Sequence, residues 1–269
     1  MCTIDTQDDA AAGEVASSAA PGAPGPAPGA ALVADLVSAN HILSDRGVVD
    51  AFGHVSVRHD GRTDRFLMSR NMAPALVGAG DILEFDLHGQ PHDARGRAVY
   101  LERFIHAAIY RARPDVMAVV HSHSLAVLPF CVVQDAPLRA VYHMGSFLGT
   151  GAPVFEIRKY AGDGSDMLVR SPELGAALAD ELGSGAVILM RGHGSTVAAA
   201  SLPLAVYMAV YTEVNARIQA DAMRLGPVTY LSAAEAAAAD INIGKQVERP
   251  WALWKAQAAQ HRLLLMPLS

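Results

Sequence analysis

Hydrophobic residues recur along much of the chain at the spacing of an α-helix. In residues 31–46 this pattern predicts an amphipathic helix that Gly47 terminates. Ser171 and Pro172 are typical of a helix start, the first as N-cap and the second as a first-turn residue. Helical spacing predicts further helices over residues 99–111, 172–182 and 202–224, and one that begins after Ser232.

Two other patterns predict β-strands. Within residues 51–58, Val55 and Val57 alternate with polar side chains after a glycine-containing turn, and we expect this strand to form a hairpin with residues 65–69. The apolar runs at residues 116–127 and 187–190 are typical of buried strands. Further strands are predicted at residues 81–87 and 154–157.

The start of the chain has neither pattern. Residues 1–29 are rich in Ala, Pro and Gly, a composition that favours no regular element. They also lack the basic region and the apolar core of a signal peptide. The predicted organisation is therefore a disordered tail over residues 1–29 and one folded domain over residues 30–269.

Composition and charge argue against several classes of function. Hydrophobic residues make up 51% of the 269 residues, yet no apolar run approaches the roughly 18 residues that span a bilayer. The net charge of −6 is distributed without a basic stripe, so neither nucleic acid nor a membrane is an expected partner. With only Cys2 and Cys131, a disulfide framework is not expected, and the cytoplasm is the predicted compartment. The expected partner is a small molecule.

The clearest candidate site is the His-Ser-His sequence at residues 121–123. Side chains two positions apart on a strand point to the same face, so His121 and His123 are predicted to converge. Two neutral imidazoles in this arrangement can chelate a divalent metal, with further ligands from elsewhere in the fold. The candidates are Glu102, on the predicted helix before them, and the glycine-flanked His193 after a later strand.

These residues, together with the sequence Gly-His-Val-Ser-Val-Arg near the start of the domain, resemble the class II aldolase/adducin family over residues 31–255. The resemblance implies that His121, His123 and His193 bind one divalent metal ion, zinc, manganese or iron, and that Glu102 is the catalytic acid/base. It also implies a three-layer α/β/α fold with a central, mainly antiparallel sheet. Family members are commonly cyclic tetramers, so we expect a homotetramer with active sites at subunit interfaces.

Two departures from the phosphosugar aldolases of this family concern the substrate's anionic end. Those enzymes commonly have Asn where this chain has His54, and a Thr-Pro-Ser-Gly-like loop where it has Ser69 and Arg70. Arginine can bind a planar carboxylate through two parallel hydrogen bonds. We therefore predict that His54, Ser69 and Arg70 bind a carboxylated substrate, and that His143 is a further substrate contact.

The resemblance implies a carbon–carbon lyase. Residues 47–58 resemble the branch that acts on hydroxypyridine or hydroxybenzoate carboxylates, so the predicted reaction is decarboxylation of a hydroxylated aromatic or heteroaromatic acid through a metal-stabilised enolate. Three alternatives stay open. They are an aldolase that cleaves a hydroxy-keto acid or sugar derivative, a non-haem iron oxygenase that performs oxidative decarboxylation, and a non-catalytic, adducin-like interaction domain.

Overall fold

An eight-stranded sheet forms the centre of the computed structural model, which describes residues 26–265. Its strands are β1 (His54–Arg58), β2 (Arg65–Ser69), β3 (Ile82–Asp86), β4 (Pro91–His92), β5 (Ala118–Ser122), β6 (Val154–Phe155), β7 (Val187–Met190) and β8 (Gly194–Ala199). They lie in the order β4-β3-β2-β1-β5-β8-β7-β6. Neighbouring strands are antiparallel except β6 and β7, which are parallel.

Helices cover both faces of this sheet. Those of the described residues are α1 (Ala30–Asp45), α2 (Arg103–Ala112), α3 (Leu128–Val132), α4 (Arg158–Ala161), α5 (Pro172–Leu182), α6 (Leu202–Leu225), α7 (Ala233–Gly244) and α8 (Glu248–Leu265). Three short 3-10 helices occur at Pro74–Leu76, Ala79–Asp81 and His143–Leu148. None of these helices is both long enough and apolar enough to cross a lipid bilayer.

Side chains of the central strands alternate between two hydrophobic cores, one on each face of the sheet. Val120 and Leu189 pack in the core that includes α1, α6 and α8. Their neighbours Val119 and Ile188 pack in the core that includes α2 and α5. Burial on both faces explains the near-continuous apolar sequence of these strands. The arrangement confirms the predicted three-layer α/β/α fold with a mainly antiparallel sheet.

Several predicted elements are confirmed. The helix that begins at Pro172 is capped as expected, because Ser171 Oγ accepts a hydrogen bond from the Leu174 amide at 3.3 Å. It ends at Gly183, whose φ of 54° favours glycine. The predictions for residues 31–46, 172–182, 187–190 and 202–224 agree with α1, α5, β7 and α6. Most of the predicted tail lies outside the described residues.

Two predicted elements are wrong at their boundaries. Helix α2 begins at Arg103, so Glu102 lies in the turn before the helix and not on its face. The apolar run 116–127 forms a strand only as far as Ser122. Helix α3 follows, and its second residue, Pro129, fits a first helical turn because it needs no amide donor there. Smaller differences are the two-residue length of β6 and the additional strands β4 and β8.

The close approach of β8 to the end of β5 requires glycine at position 194. A Cβ atom on Gly194 would overlap the carbonyl oxygen of Ser122. We expect Gly194→Ala to lower the free energy of unfolding by about 1–3 kcal/mol, because backbone on one side has to move. Urea unfolding measures this change. Gly164→Ala is the control, since no atom lies within 4 Å of its added Cβ, and equal stability loss in both variants would contradict the steric argument.

Candidate active site

Four potential metal-ligating side chains converge at one end of the central strands. His121 lies on β5 and His123 directly after it, while His193 lies in the turn between β7 and β8. Glu102 is the residue before α2. Their ligating atoms all lie within 4.8 Å of one another. The predicted convergence of the two histidines therefore occurs, although His123 lies beyond the strand on which it was expected.

The three imidazoles face one another through the same nitrogen. The Nε2 atoms of His121 and His123 are 3.1 Å apart, and those of His123 and His193 are 3.0 Å apart. Glu102 Oε2 lies 3.4 Å from the first of these nitrogens and 3.3 Å from that of His193. Neutral imidazoles whose lone pairs point at a common position form a donor set that fits one divalent cation.

Hydrogen bonds on the opposite ring edges orient two of these imidazoles. His193 Nδ1 donates to the carbonyl oxygen of Met167 at 2.7 Å. His121 Nδ1 lies 3.2 Å from Thr196 Oγ1, whose hydroxyl donates to a methionine sulfur and can accept from the ring. In the neutral form of each ring, a proton on Nδ1 leaves the lone pair on Nε2, so both rings can present an acceptor to the common position. Such outer contacts are a usual feature of histidine metal ligands.

Residues Met167 to Val169 form a support for the cluster. The Val169 amide donates to Glu102 Oε1 at 3.0 Å, which leaves Oε2 directed at the imidazoles. Met167, which holds His193, has a φ of 71°. Non-glycine residues rarely adopt this left-handed conformation, and strain of this kind is concentrated at functional sites. The backbone here is therefore shaped to fix the Glu102 and His193 side chains.

Burial and charge interactions set the protonation states of the cluster. Burial, with smaller contributions from the neighbouring His121 and His193, lowers the pKa of His123 to about 4, so this imidazole is neutral near pH 7. Burial by itself raises the pKa of Glu102, but charge and hydrogen-bond interactions with the protonated forms of His121 and His193 outweigh it and hold this pKa well below its usual range. Glu102 is therefore a carboxylate in the resting site. The same interaction with Glu102 raises the pKa of His193, although burial opposes it, so a metal ion at the cluster would displace a proton from this ring.

A cleft of about 300 Å³ opens beside the cluster, with mainly aromatic and apolar walls. Its floor includes Glu102 and His123. The other lining side chains include those of Phe52, His54, Asn71, Met72, Tyr100, Leu101 and Leu168. Within the described part of one chain, no lysine or arginine lines this cleft. The cleft therefore suits a flat, largely apolar molecule whose oxygens point towards the imidazoles.

The structure separates the predicted substrate-binding residues into two groups. His54 lines the cleft, and Ser69 lies behind its wall, with Oγ 3.4 Å from the Tyr100 hydroxyl. Arg70 does not line the cleft, because its Nε donates to Asp81 at 2.7 Å. His143 lines a different cavity of about 550 Å³, formed largely by α6, α7 and α8. The roles of all four residues remain predictions, and for Arg70 and His143 the single chain provides no contact with the cleft.

Sequence reasoning missed several residues that shape the site. Tyr100 and Asn71 line the cleft, and His106 supports it from α2. The position of His106, four residues after Glu102, was the available signal for its proximity. No local pattern marks Met167 or Val169, because their contributions come from backbone groups.

Comparisons with known proteins add independent information. Residues 34–220 match the family described as Class II Aldolase and Adducin N-terminal domain. The chain is 38% identical over 250 residues to the decarboxylase tropJ of Talaromyces stipitatus, an alignment that covers 84% of this chain and 94% of that protein. It is 31% identical over 196 residues to a 3,4-dihydroxyphthalate decarboxylase of Arthrobacter keyseri. That alignment covers 65% of this chain and 72% of the relative.

Solved structures with the same fold include an L-fuculose 1-phosphate aldolase from Glaciozyma antarctica. Its TM-score with this chain is 0.70 at 22% sequence identity, over 85% of this chain and 90% of that one. An aldolase II superfamily protein from Pseudomonas syringae has a TM-score of 0.71 at 20% identity. The match covers 86% of this chain and 93% of that one. At this identity the similarity establishes the fold.

Proposed function

Because the chain belongs to the class II aldolase and adducin family, we propose that it is a divalent-metal-dependent lyase that decarboxylates a hydroxylated aromatic or heteroaromatic carboxylic acid. The observation that carries the proposal is the set of three inward-facing imidazole nitrogens beside the buried Glu102 carboxylate, in an aromatic and apolar cleft. Two relatives with decarboxylase names support the same reaction class.

His121, His123 and His193 would hold the metal ion. Zinc, manganese and iron can all bind three imidazole ligands. When bound, the ion supplies a Lewis acid that withdraws electron density from substrate oxygen. Phe52 and Tyr100, which both line the cleft, can pack against the aromatic ring and exclude water from it. The substrate's oxygens then lie within reach of Glu102.

Glu102 would move one proton twice. As a carboxylate it first accepts the proton of the substrate hydroxyl, which places negative charge on that oxygen and, by conjugation, on the ring. Glu102 then returns this proton to the ring carbon that bears the carboxylate, and the oxygen becomes a carbonyl. The bond from this carbon to the carboxylate breaks, carbon dioxide leaves, and the electron pair passes through the ring to the oxygen. After the oxygen takes up a proton from solvent, the product is the same hydroxylated ring with hydrogen in place of the carboxylate.

The lining of the cleft favours decarboxylation over cleavage of a sugar phosphate. A phosphate carries two negative charges near pH 7 and is usually bound by arginine, lysine or several backbone amides. Among the described residues the nearest candidate in sequence, Arg70, is paired with Asp81. A carboxylate that leaves as a neutral molecule has less need of a cation, because its charge passes into the ring.

We also propose a homotetramer with active sites at subunit interfaces. Phe52 and Leu101 line the cleft yet are 67% and 54% exposed, and Leu125, two residues after His123, is 81% exposed. Large apolar side chains around a site entrance are the kind of surface that a neighbouring subunit covers. The proposed compartment is the cytoplasm, and the buried, free thiol of Cys131 is compatible with it.

A test combines elemental analysis with an anaerobic assay. The protein is purified without added metal, reconstituted separately with zinc, manganese and ferrous ions, and incubated with a panel of hydroxylated aromatic carboxylic acids. We expect carbon dioxide release under nitrogen, with one carbon dioxide for each decarboxylated product. Release that requires both iron and oxygen would replace the lyase by an oxygenase. Cleavage of sugar phosphates without any carbon dioxide release would replace it by an aldolase.

A further inference from the structure

A chain of four buried polar side chains leads from the cleft into the sheet. His54 Nδ1 lies 2.7 Å from His106 Nε2, and Ser56 Oγ lies 2.6 Å from His106 Nδ1. The chain ends at the Tyr110 hydroxyl, 2.8 Å from Ser56 Oγ. All four residues are at most 4% exposed. His54 and Ser56 lie on β1, and the other two residues on α2, so the chain crosses between two layers of the fold.

Both histidines of the chain are neutral. Burial, with a smaller contribution from nearby His121, lowers the pKa of His106 to about 3. Burial also lowers the pKa of His54 well below its ordinary value. Each ring therefore carries a single proton, and the 2.7 Å contact between them contains one hydrogen atom. If His106 supplies that hydrogen, His54 presents an N–H donor to the cleft. If His54 supplies it, His54 presents an unprotonated acceptor nitrogen.

The Tyr110 hydroxyl determines the direction of the chain. Burial raises the pKa of this phenol, so it keeps its proton, and the acceptor within reach among the described residues is Ser56 Oγ. Ser56 Oγ has no partner other than Tyr110 and His106 among the described residues, so it donates its own proton to His106 Nδ1, which places the His106 proton on Nε2. His106 Nε2 donates in turn to His54 Nδ1. In the opposite direction the buried phenol proton would have no acceptor in this part of the structure, an arrangement that proteins avoid.

We propose that this chain fixes His54 as the tautomer with its proton on Nε2, so that His54 is a hydrogen-bond donor to the substrate. Nδ1 is occupied by His106, and the other edge of the ring faces the cleft. The ring centre lies 5.0 Å from that of His121 and 4.5 Å from that of Tyr100, between the metal-ligand cluster and the cleft wall. His54 is not among the four side chains whose ligating atoms converge.

The catalytic role of the His54 donor rests on the proposed function. An N–H group beside the cluster can donate to the substrate oxygen on which negative charge develops as the carbon–carbon bond breaks. A fixed donor of this kind stabilises the transition state more than the bound substrate, because the charge on its acceptor grows during the reaction. His106, Ser56 and Tyr110 are then positioning residues, which act through the tautomer of His54.

The tautomer itself can be measured without an activity assay. Solid-state 15N NMR of zinc-loaded, full-length protein with labelled histidine distinguishes a protonated ring nitrogen from an unprotonated one, and the His54→Gln spectrum identifies the His54 signals. We expect protonated Nε2 and unprotonated Nδ1. Tyr110→Phe should introduce a fraction of the opposite form, whereas Tyr160→Phe, which removes a surface hydrogen bond to Glu181, should not. Protonated Nδ1 in the wild-type protein would overturn the proposal.

Kinetics on an acid that the wild-type enzyme decarboxylates test the donor role. His54→Leu removes the donor, and we expect kcat to fall about 10²–10³-fold with little change in KM. His54→Gln places an amide N–H near the same position and should recover most of that loss. Tyr110→Phe should lower kcat about tenfold, with metal content unchanged. Unchanged kcat in His54→Leu would overturn the donor role.

The NMR and kinetic experiments test the inference about His54 and the proposed function independently. If no hydroxylated aromatic acid is decarboxylated, the proposed function is wrong, while the NMR experiment still decides the tautomer. If decarboxylation occurs and His54 is protonated on Nδ1, the function stands and the inference about the chain is wrong.

Discussion

His123→Ala is expected to lose metal and activity together. His123 supplies the nitrogen that lies within 3.1 Å of both other imidazole nitrogens, so its removal opens the centre of the donor set. Loss of a contact that only supports a ligand typically costs 10–100-fold in metal affinity, and loss of the ligand itself should exceed about 100-fold. The variant purified without added metal should contain little of the ion that the wild-type protein retains.

The measurement is elemental analysis after gel filtration, followed by assay at increasing metal concentration. His88→Ala is the matched control, because His88 is exposed in the turn between β3 and β4. His123 is only partly buried, so the alanine should leave the melting temperature of the metal-free protein nearly unchanged. Wild-type metal content in His123→Ala would exclude this histidine from the ligand set.

The sequence predicted the convergence of the histidines better than it predicted the secondary structure around them. His121 and His123 converge even though β5 ends between them, because a chain leaving a strand keeps its direction for a residue. His193 follows β7, an apolar segment that the sequence clearly predicted as a strand because β7 is buried on both faces. Residues that are close in sequence, or that end a strongly patterned element, are therefore placed by local rules.

The substrate side of the site was harder to predict because it depends on distant partners. Arg70 has the right chemistry for a carboxylate, but Asp81 binds it, and nothing in the local sequence reveals that contact. The backbone groups of Met167 and Val169 hold His193 and Glu102 across long separations in the chain. Every residue has a backbone amide and carbonyl, so residue type gives no indication of these contacts.

Glu102→Gln is expected to keep the metal and lose about 10²–10⁴-fold in kcat. Glutamine has nearly the same size and can still accept the Val169 hydrogen bond through its carbonyl oxygen. Its amide cannot take the hydroxyl proton of the substrate or return one to the ring carbon. Glu173→Gln is the control, because Glu173 is exposed in the first turn of α5. Full activity of Glu102→Gln would exclude the proton-transfer role.

Metal content of Glu102→Gln separates two roles for this residue. Glu102 Oε2 is about as near to the imidazole nitrogens, at 3.3 and 3.4 Å, as those nitrogens are to one another. A carboxylate in this position can act as a proton carrier, as a metal ligand, or as each in turn. If the variant binds metal like the wild type and is inactive, proton transfer is the main role. If metal is lost with activity, Glu102 is a fourth ligand, and another group has to carry the proton.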